Sequence, residues 1–183
     1  MGFTITEKIL ARASGLESVK AGDEVMAKPD FVLAYDFPGY TDVYFKQMKE
    51  EFGIDKVAEP ERFGIFIDHM VPVATPKEEE LHQGTRAWCA ENGVELFERR
   101  GIGHQVAAEV GYATPGAFVV HFDGHISQLG TFGTLGIGMR RNVLEAFVRE
   151  KVSIKVPHTV RVNLHGELQK GVMARDVFHH MVR

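Results

Sequence analysis

The chain has 183 residues, 44% of them hydrophobic and 25% charged, with a formal net charge of −4. This is the profile of an ordinary globular protein and excludes disordered, collagen-like and disulfide-rich classes, while the length suits one domain over residues 1–183. Lys and Arg (21) are spread along the chain against 25 Asp and Glu, so no basic stripe supplies the field that nucleic-acid binding needs.

No window approaches the roughly 18 to 20 apolar residues that cross a bilayer, and the N-terminus lacks the apolar core of a signal peptide. The expectation is a cytoplasmic protein with neither membrane nor nucleic-acid partners. Cys89 is the only cysteine. It excludes an internal disulfide and cannot alone hold an iron–sulfur cluster, which takes three or four thiolates.

Thr4 with Glu7 is a capping-box pattern, and Ile5, Ile9 and Leu10 before Gly15 outline a first helix. Val25 to Lys28 and the apolar run Phe31 to Tyr35 read as extended segments. Thr41 to Phe52 has helical spacing and stops at Gly53. Phe63 to Ile67 is a strand, Thr75 or Pro76 opens a long helix to Asn92, Val94 to Phe97 is a strand and His104 to Val110 a short helix. Ala117 to Phe122 is the next strand. A glycine-rich loop, a helix near Arg141 to Lys151, an alternating PHTVRVNLHGEL segment resembling half a hairpin, and a helix from about Ala174 complete the chain. Strands alternating with helices predict an α/β fold with a largely parallel sheet.

In such sheets ligands sit beyond the carboxyl ends of the strands. Three strand ends carry ionisable pairs or approach one: Asp68-His69, the stretch through Arg99, Arg100 and two glycines to His104, and Asp123-Gly124-His125. An Asp beside a His orients the imidazole and raises its pKa, so each pair can move a proton near neutral pH. Taken singly, each pair also reads as a solvated turn, where Asp is common for its local hydrogen bonds.

Gly130, Gly133, Gly136 and Gly138 lack the Gly-Lys-Ser/Thr ending of a phosphate loop and the spacing of a dinucleotide fingerprint. They read instead as positions of close backbone approach or positive φ. His69, His104 and His125 offer an alternative, a mononuclear metal site with an open position. Cys89, in the helical run TRAWCAENG, reads as a packed apolar residue. His82, His121, His158, His165, His179 and His180 read as surface or structural.

From TITEKILARASGL to GVMARDVFHHMVR the order of segments resembles the N-terminal part of the aconitase superfamily, in particular 3-isopropylmalate dehydratase large subunits and homoaconitases. VLAYD, GIDKV, FIDHMVP, GIGHQVAAEVGYATPG, the strand-end DGH, KVP and GELQKGVMARDV carry the likeness over nearly the whole chain. It implies a three-layer α/β/α first domain. It also implies removal and return of water on a small hydroxy-carboxylate at a four-iron four-sulfur cluster. On this likeness Asp68 and His69 handle the departing hydroxyl, and His104, Asp123 and His125 complete the acid–base network, while Thr41, Gly124 and Arg141 fall in segments that contact substrate.

The departures shape the expectation. Family members run to more than twice this length, and their cluster cysteines and basic serine fall in a portion not present in this sequence. Where the family reads Asp-Ser-His-Thr, the chain has Asp123, Gly124, His125 and Ile126. Where it favours Thr-Asp, Arg141-Asn142 aligns, after one residue inserted near Met139, and about three extra residues fall around Pro38 to Thr41. The expectation is a hydro-lyase or isomerase domain that binds no metal or cluster alone and needs a cysteine-bearing partner chain. The alternatives are a non-catalytic carboxylate-binding or assembly protein using Arg99, Arg100, Arg140 and Arg141, or the mononuclear metal protein.

Overall fold

The computed structural model describes residues 2–36 and 41–183, and of Arg141 the backbone only. Helix α1 (Ile5–Ser14) starts where the Thr4 hydroxyl accepts the Glu7 N–H and the Glu7 carboxylate takes the Thr4 N–H, and it stops at Gly15 in a left-handed conformation. Then come β1 (Glu24–Ala27), β2 (Phe31–Tyr35), α2 (Thr41–Glu50), β3 (Phe63–Ile67) and α3 (Pro76–Asn92). Thr75 and Glu78 form a second capping box for α3. The remainder is β4 (Glu95–Glu98), α4 (Gly103–Glu109), β5 (Phe118–His121), β6 (Leu135–Gly138), α5 (Val143–Arg149), β7 (Val152–Lys155) and α6 (Ala174–Met181).

Five strands form one parallel sheet in the order β4-β3-β2-β5-β6. Side chains alternate across it. Val32 and Ala34 join a core with Leu10 of α1, Met48 of α2, Trp88 of α3 and Phe147 of α5, whereas Leu33 and Tyr35 face Val106 and Ala107 of α4 and Ile126 and Leu129 of the following 3₁₀ stretch. The predicted three-layer α/β/α arrangement is therefore what the sheet builds, with one apolar cluster on each face. The chain runs outward from β2 through β3 to β4, then returns to the other side of β2 for β5 and β6. The order thus reverses between β2 and β5, and in open α/β sheets ligands bind at the carboxyl ends of strands at such a reversal.

Two strands escaped the sequence reading. β6 lies inside the glycine stretch, whose missing side chains hide the alternation that marks a strand. β7 pairs antiparallel with β1 in a separate two-stranded sheet. Conversely, the alternating residues 158–168 are exposed and form no strand among the described residues, since alternation makes a strand only where a neighbouring ladder accepts it. Among those residues no helix is long and apolar enough to cross a membrane.

Candidate functional site

The first corner of the site is built on the ends of β2 and β3. Asp36, directly after β2, is fully buried, and its Oδ1 accepts the backbone N–H groups of both Asp68 and His69 at 3.1 Å. Its Oδ2 lies 2.6 Å from Nε2 of buried His82 on α3. A carboxylate only accepts, so that ring nitrogen carries the hydrogen. The turn after β3 is thereby fixed from beneath. Asp68 then holds His69, with Oδ1 2.6 Å from Nδ1, while its Oδ2 accepts the Gly103 N–H at 2.5 Å. Position 103 needs glycine: a Cβ would come within 2.7 Å of the Tyr35 ring and 3.0 Å of Asp68 Oδ2. That close approach brings the next residue, His104, into the site.

The second corner lies beyond β5. The Asp123 N–H donates to Nδ1 of buried His121 at 2.7 Å, which places the His121 hydrogen on Nε2, where it has no hydrogen-bond partner among the described residues. Burial drives the His121 pKa down to about 3, with His104 adding repulsion, so the ring is neutral. Asp123 opens a 3₁₀ stretch, Gly124–Phe132, and its Oδ2 lies 2.8 Å from His125 Nδ1 and 3.4 Å from His104 Nε2. Partial burial alone would raise the Asp123 pKa, but hydrogen bonds from the His125 side chain and backbone outweigh it and hold the carboxyl low.

The glycine ladder serves this corner. A Cβ on Gly138 would sit 2.5 Å from Gly124 Cα and 2.7 Å from Asp123 O, and one on Gly136 would collide with Ile126 O. Bare β6 therefore lets the Asp123–His125 turn lie directly on the sheet edge. The ladder is a bed for the loop, not a phosphate cradle.

Tyr35 joins the two corners. Its ring centroid lies 4.0 Å from His121, 4.8 Å from His104 and 5.5 Å from His69, and its buried hydroxyl has no partner among the described residues. Burial, then Asp68 and Asp123, push its pKa far up, so the phenol stays neutral. His104 is 5.9 Å from His121 and 5.8 Å from His125, and burial lowers its pKa against the opposing pull of Asp123 and Asp68. The five predicted residues thus lie together at the carboxyl ends of β3 and β5 around Tyr35 and His104. His69 and His125 are each bonded at Nδ1 to a carboxylate, which fixes the orientation of both rings.

The other named positions are placed differently. Thr41 is buried at the start of α2 with its hydroxyl unpartnered among the described residues. Gly124 borders open space, with nothing within 4 Å of an added Cβ. The Arg141 backbone lies in a short 3₁₀ turn before α5, and its side chain, like the Pro38–Tyr40 stretch, falls outside the described residues. The three histidines of the alternative metal reading do not form one ligand set. His104 and His125 group with Asp123, and His69 groups with Asp36 and Asp68. A groove of about 600 Å³ along α2 and α3, lined by Phe45 and Trp88, shares none of these residues.

Sequence reasoning missed Asp36, Tyr35 and the placement of His82 and His121. Asp36 was findable, being a strand-end acid after an apolar run like Asp68 and Asp123. His82 was not, because nothing local says which way a histidine on a polar helix points. The residues present do not fit a four-iron four-sulfur cluster. Cys89 is buried in α3 and burial pushes its thiol up to about 12, so it is a packed neutral side chain and supplies no thiolate.

The model of the Aconitase family (aconitate hydratase) matches residues 7–183. The large subunit 1 of 3-isopropylmalate dehydratase from Methanopyrus kandleri is 38% identical over 180 residues, covering 97% of this chain and 42% of that protein. The 3-isopropylmalate dehydratase large subunit of Herpetosiphon aurantiacus is 36% identical, over 96% of the chain and 42% of the relative. The homoaconitase large subunit of Thermus thermophilus is 35% identical over 100% and 43%. The chain spans about two-fifths of the length of these relatives.

Proposed function

The chain belongs to the aconitase family, and on that premise we propose that its 183 residues form one α/β/α domain of a cytoplasmic hydro-lyase or isomerase acting on a small hydroxy-carboxylate. The relatives named as 3-isopropylmalate dehydratases and homoaconitase point to that substrate class. One observation carries the reading: His69, held by Asp68, and His104 both pack on Tyr35, and His104 in turn lies beside Asp123 and His125, all at the reversal of strand order.

In this reading His69 gives a proton to the departing hydroxyl. Asp68 fixes the ring, and the Asp36–His82 pair fixes the turn that carries both. Asp123 holds His125 by the same logic, and these two with His104 receive and return the water. The substrate carboxylates fall near Gly124 and the Arg141 turn, with Thr41 placing the start of α2 beside them. An iron–sulfur cluster and the base that removes the carbon-bound proton come from polypeptide outside these residues, together with the subunit that complements a large subunit.

The test supplies that remainder. The 183 residues are joined or mixed with the cysteine-bearing part of a relative's large subunit and its small subunit, and dehydration of 3-isopropylmalate and homocitrate is followed by the ultraviolet absorbance of the unsaturated product. Turnover that falls on the order of 10²–10⁴-fold in His69→Ala is expected for a general acid. Turnover that is indifferent to His69→Ala and His104→Ala overturns the reading, as does its absence from assemblies whose relative-only counterpart is active.

A further inference from the structure

The apolar alternation of β7 does not stop where the strand stops. Val152, Ile154 and Val156 are buried at every second position, and the same period resumes beyond Pro157 in Val160, Val162 and Leu164, which are 83%, 53% and 69% exposed. The boundary is sharp. Val156 donates its N–H to Asp23 O and accepts the Gly22 N–H, each at 2.8 Å, whereas Pro157 has no N–H with which to extend a ladder. From there to Arg183 every residue is exposed except half-buried Val177. The rest of this arm is also shaped. Gly166 and Gly171 turn the chain at positive φ, and the Asp176 carboxylate accepts the Met173 N–H at 2.8 Å where α6 begins. Ala174, Val177, Phe178 and Met181 have the spacing of one apolar helix stripe, and Phe178 and Met181 are exposed on it.

A strand-period face followed by a helix-period face, both bare, marks an interaction surface. The α/β/α body does not cover it. The family match nevertheless runs through the arm to residue 183, while the relatives carry more than half of their length outside the matched part. We propose that residues 158–183 are the docking surface for the cysteine-bearing polypeptide invoked above. Residues 158–165 add as a strand to an open sheet edge of that polypeptide, and the α6 stripe covers apolar surface beside it. The assignment rests on the reading that such a polypeptide completes the enzyme.

Strand addition follows from the alternation. Backbone hydrogen bonds to an edge supply the ladder that residues 158–165 lack, and Val160, Val162 and Leu164 then face one side together. A second copy of this chain is a poor host. Its sheet edges among the described residues, β1, β4, β6 and β7, are four residues each, half the length of the alternating segment.

The experiment uses the 183-residue chain, tagged at its N-terminus and co-expressed with the part of the Methanopyrus kandleri large subunit that lies outside the 180 matched residues. One-to-one capture is expected. Hydrogen exchange should find the amides of residues 158–168 unprotected in the chain alone and protected in the complex. Val162→Asp and Phe178→Asp each lower capture at least about tenfold, as loss of an apolar anchor does, and leave the urea midpoint of the chain alone unchanged. Arg161→Pro and Val162→Pro remove N–H groups that leave a strand toward opposite edges, so at least one of them abolishes capture. No capture, capture indifferent to these variants, protection of residues 158–168 in the chain alone, or a dimer of the chain that the arm variants dissolve overturns the proposal. Capture without turnover upholds the arm and counts against the reaction. Turnover indifferent to the arm variants does the reverse.

Discussion

Asp68-His69 and Asp123-Gly124-His125 look alike in sequence, and the fold treats them in opposite ways. The Asp68 side chain is 5% exposed and rests on a second buried pair, Asp36 with His82, so an acid and a histidine lie beneath an acid and a histidine. The Asp123 side chain is 32% exposed, and its backbone rests on a neutral imidazole, His121. The first pair is locked by the low-dielectric interior and the second by the shape of β6. Stability is therefore invested under His69, and adaptability is left around His125.

The largest test of that contrast is to remove one member of the buried support. His82→Ala leaves the Asp36 carboxylate buried beside two N–H donors but without its ring partner, and breaking a buried pair in this way costs about 3–5 kcal/mol. Urea unfolding should show that loss, and the amide resonances of Asp68 and His69 should shift with it. A loss below about 1 kcal/mol would show that the support is ornamental. On the other side the comparable lever is steric. Gly138→Ala drives a methyl group into the backbone of Asp123 and Gly124, which cannot rotate away as a side chain can. The expected cost is about 1–3 kcal/mol. The His125 ring should also move relative to Asp123, read as a change in its imidazole proton shifts, while His69 is undisturbed.

How much of this was open to sequence reasoning follows from the same contrast. The capping box at Thr4 marked the start of the first helix, because a cap is a local bond between residues three apart, while the start of the long helix was read only as Thr75 or Pro76. The strand ends at Asp68 and Asp123 were legible because an apolar run that stops at an acid is a local signal. Tyr35 and His82 were hidden for the opposite reason. Their roles depend on β2 lying between β3 and β5, a long-range pairing, and on which face of α3 turns inward. β6 was hidden because the glycines that let it carry the Asp123 turn also erase the alternation by which strands are recognised.

The neutral ring beneath the second pair gives that side its own acid sensitivity. His121 has an ordinary pKa near 6.5 in the unfolded chain and about 3 when folded, so between those values the unfolded state binds the extra proton. Its contribution is complete above about pH 6.5 and declines as pH falls toward 3. Between pH 6.5 and 5 the loss is about 2 kcal/mol, at 1.36 kcal/mol per unit. Urea unfolding followed across that range should show the slope, and His121→Gln, which can still accept from the Asp123 N–H, should flatten it by about that amount. An unchanged slope in the variant would assign the acid sensitivity to other groups and remove the distinction between the hydrogen-bonded Asp36–His82 support under His69 and the single ring under His125.

The smallest expected effect is at the surface of the second corner. His125 is largely solvated, so its pairing with Asp123 is screened, and exposed pairs contribute only about 0–1 kcal/mol. His125→Ala should therefore leave unfolding within about 1 kcal/mol of the parent. Asp68→Asn should cost more, because Asp68 Oδ2 also accepts the Gly103 N–H and the amide must either reverse or present a donor to a donor. The ratio of the two losses is the measurement. If they are equal, the two Asp–His pairs are energetically the same turn and their different burial has no consequence. If Asp68→Asn exceeds His125→Ala severalfold, the interior pair belongs to the framework that aims His69 and His104, and the exposed pair is free to exchange its hydrogen bond for a ligand at little cost to the fold.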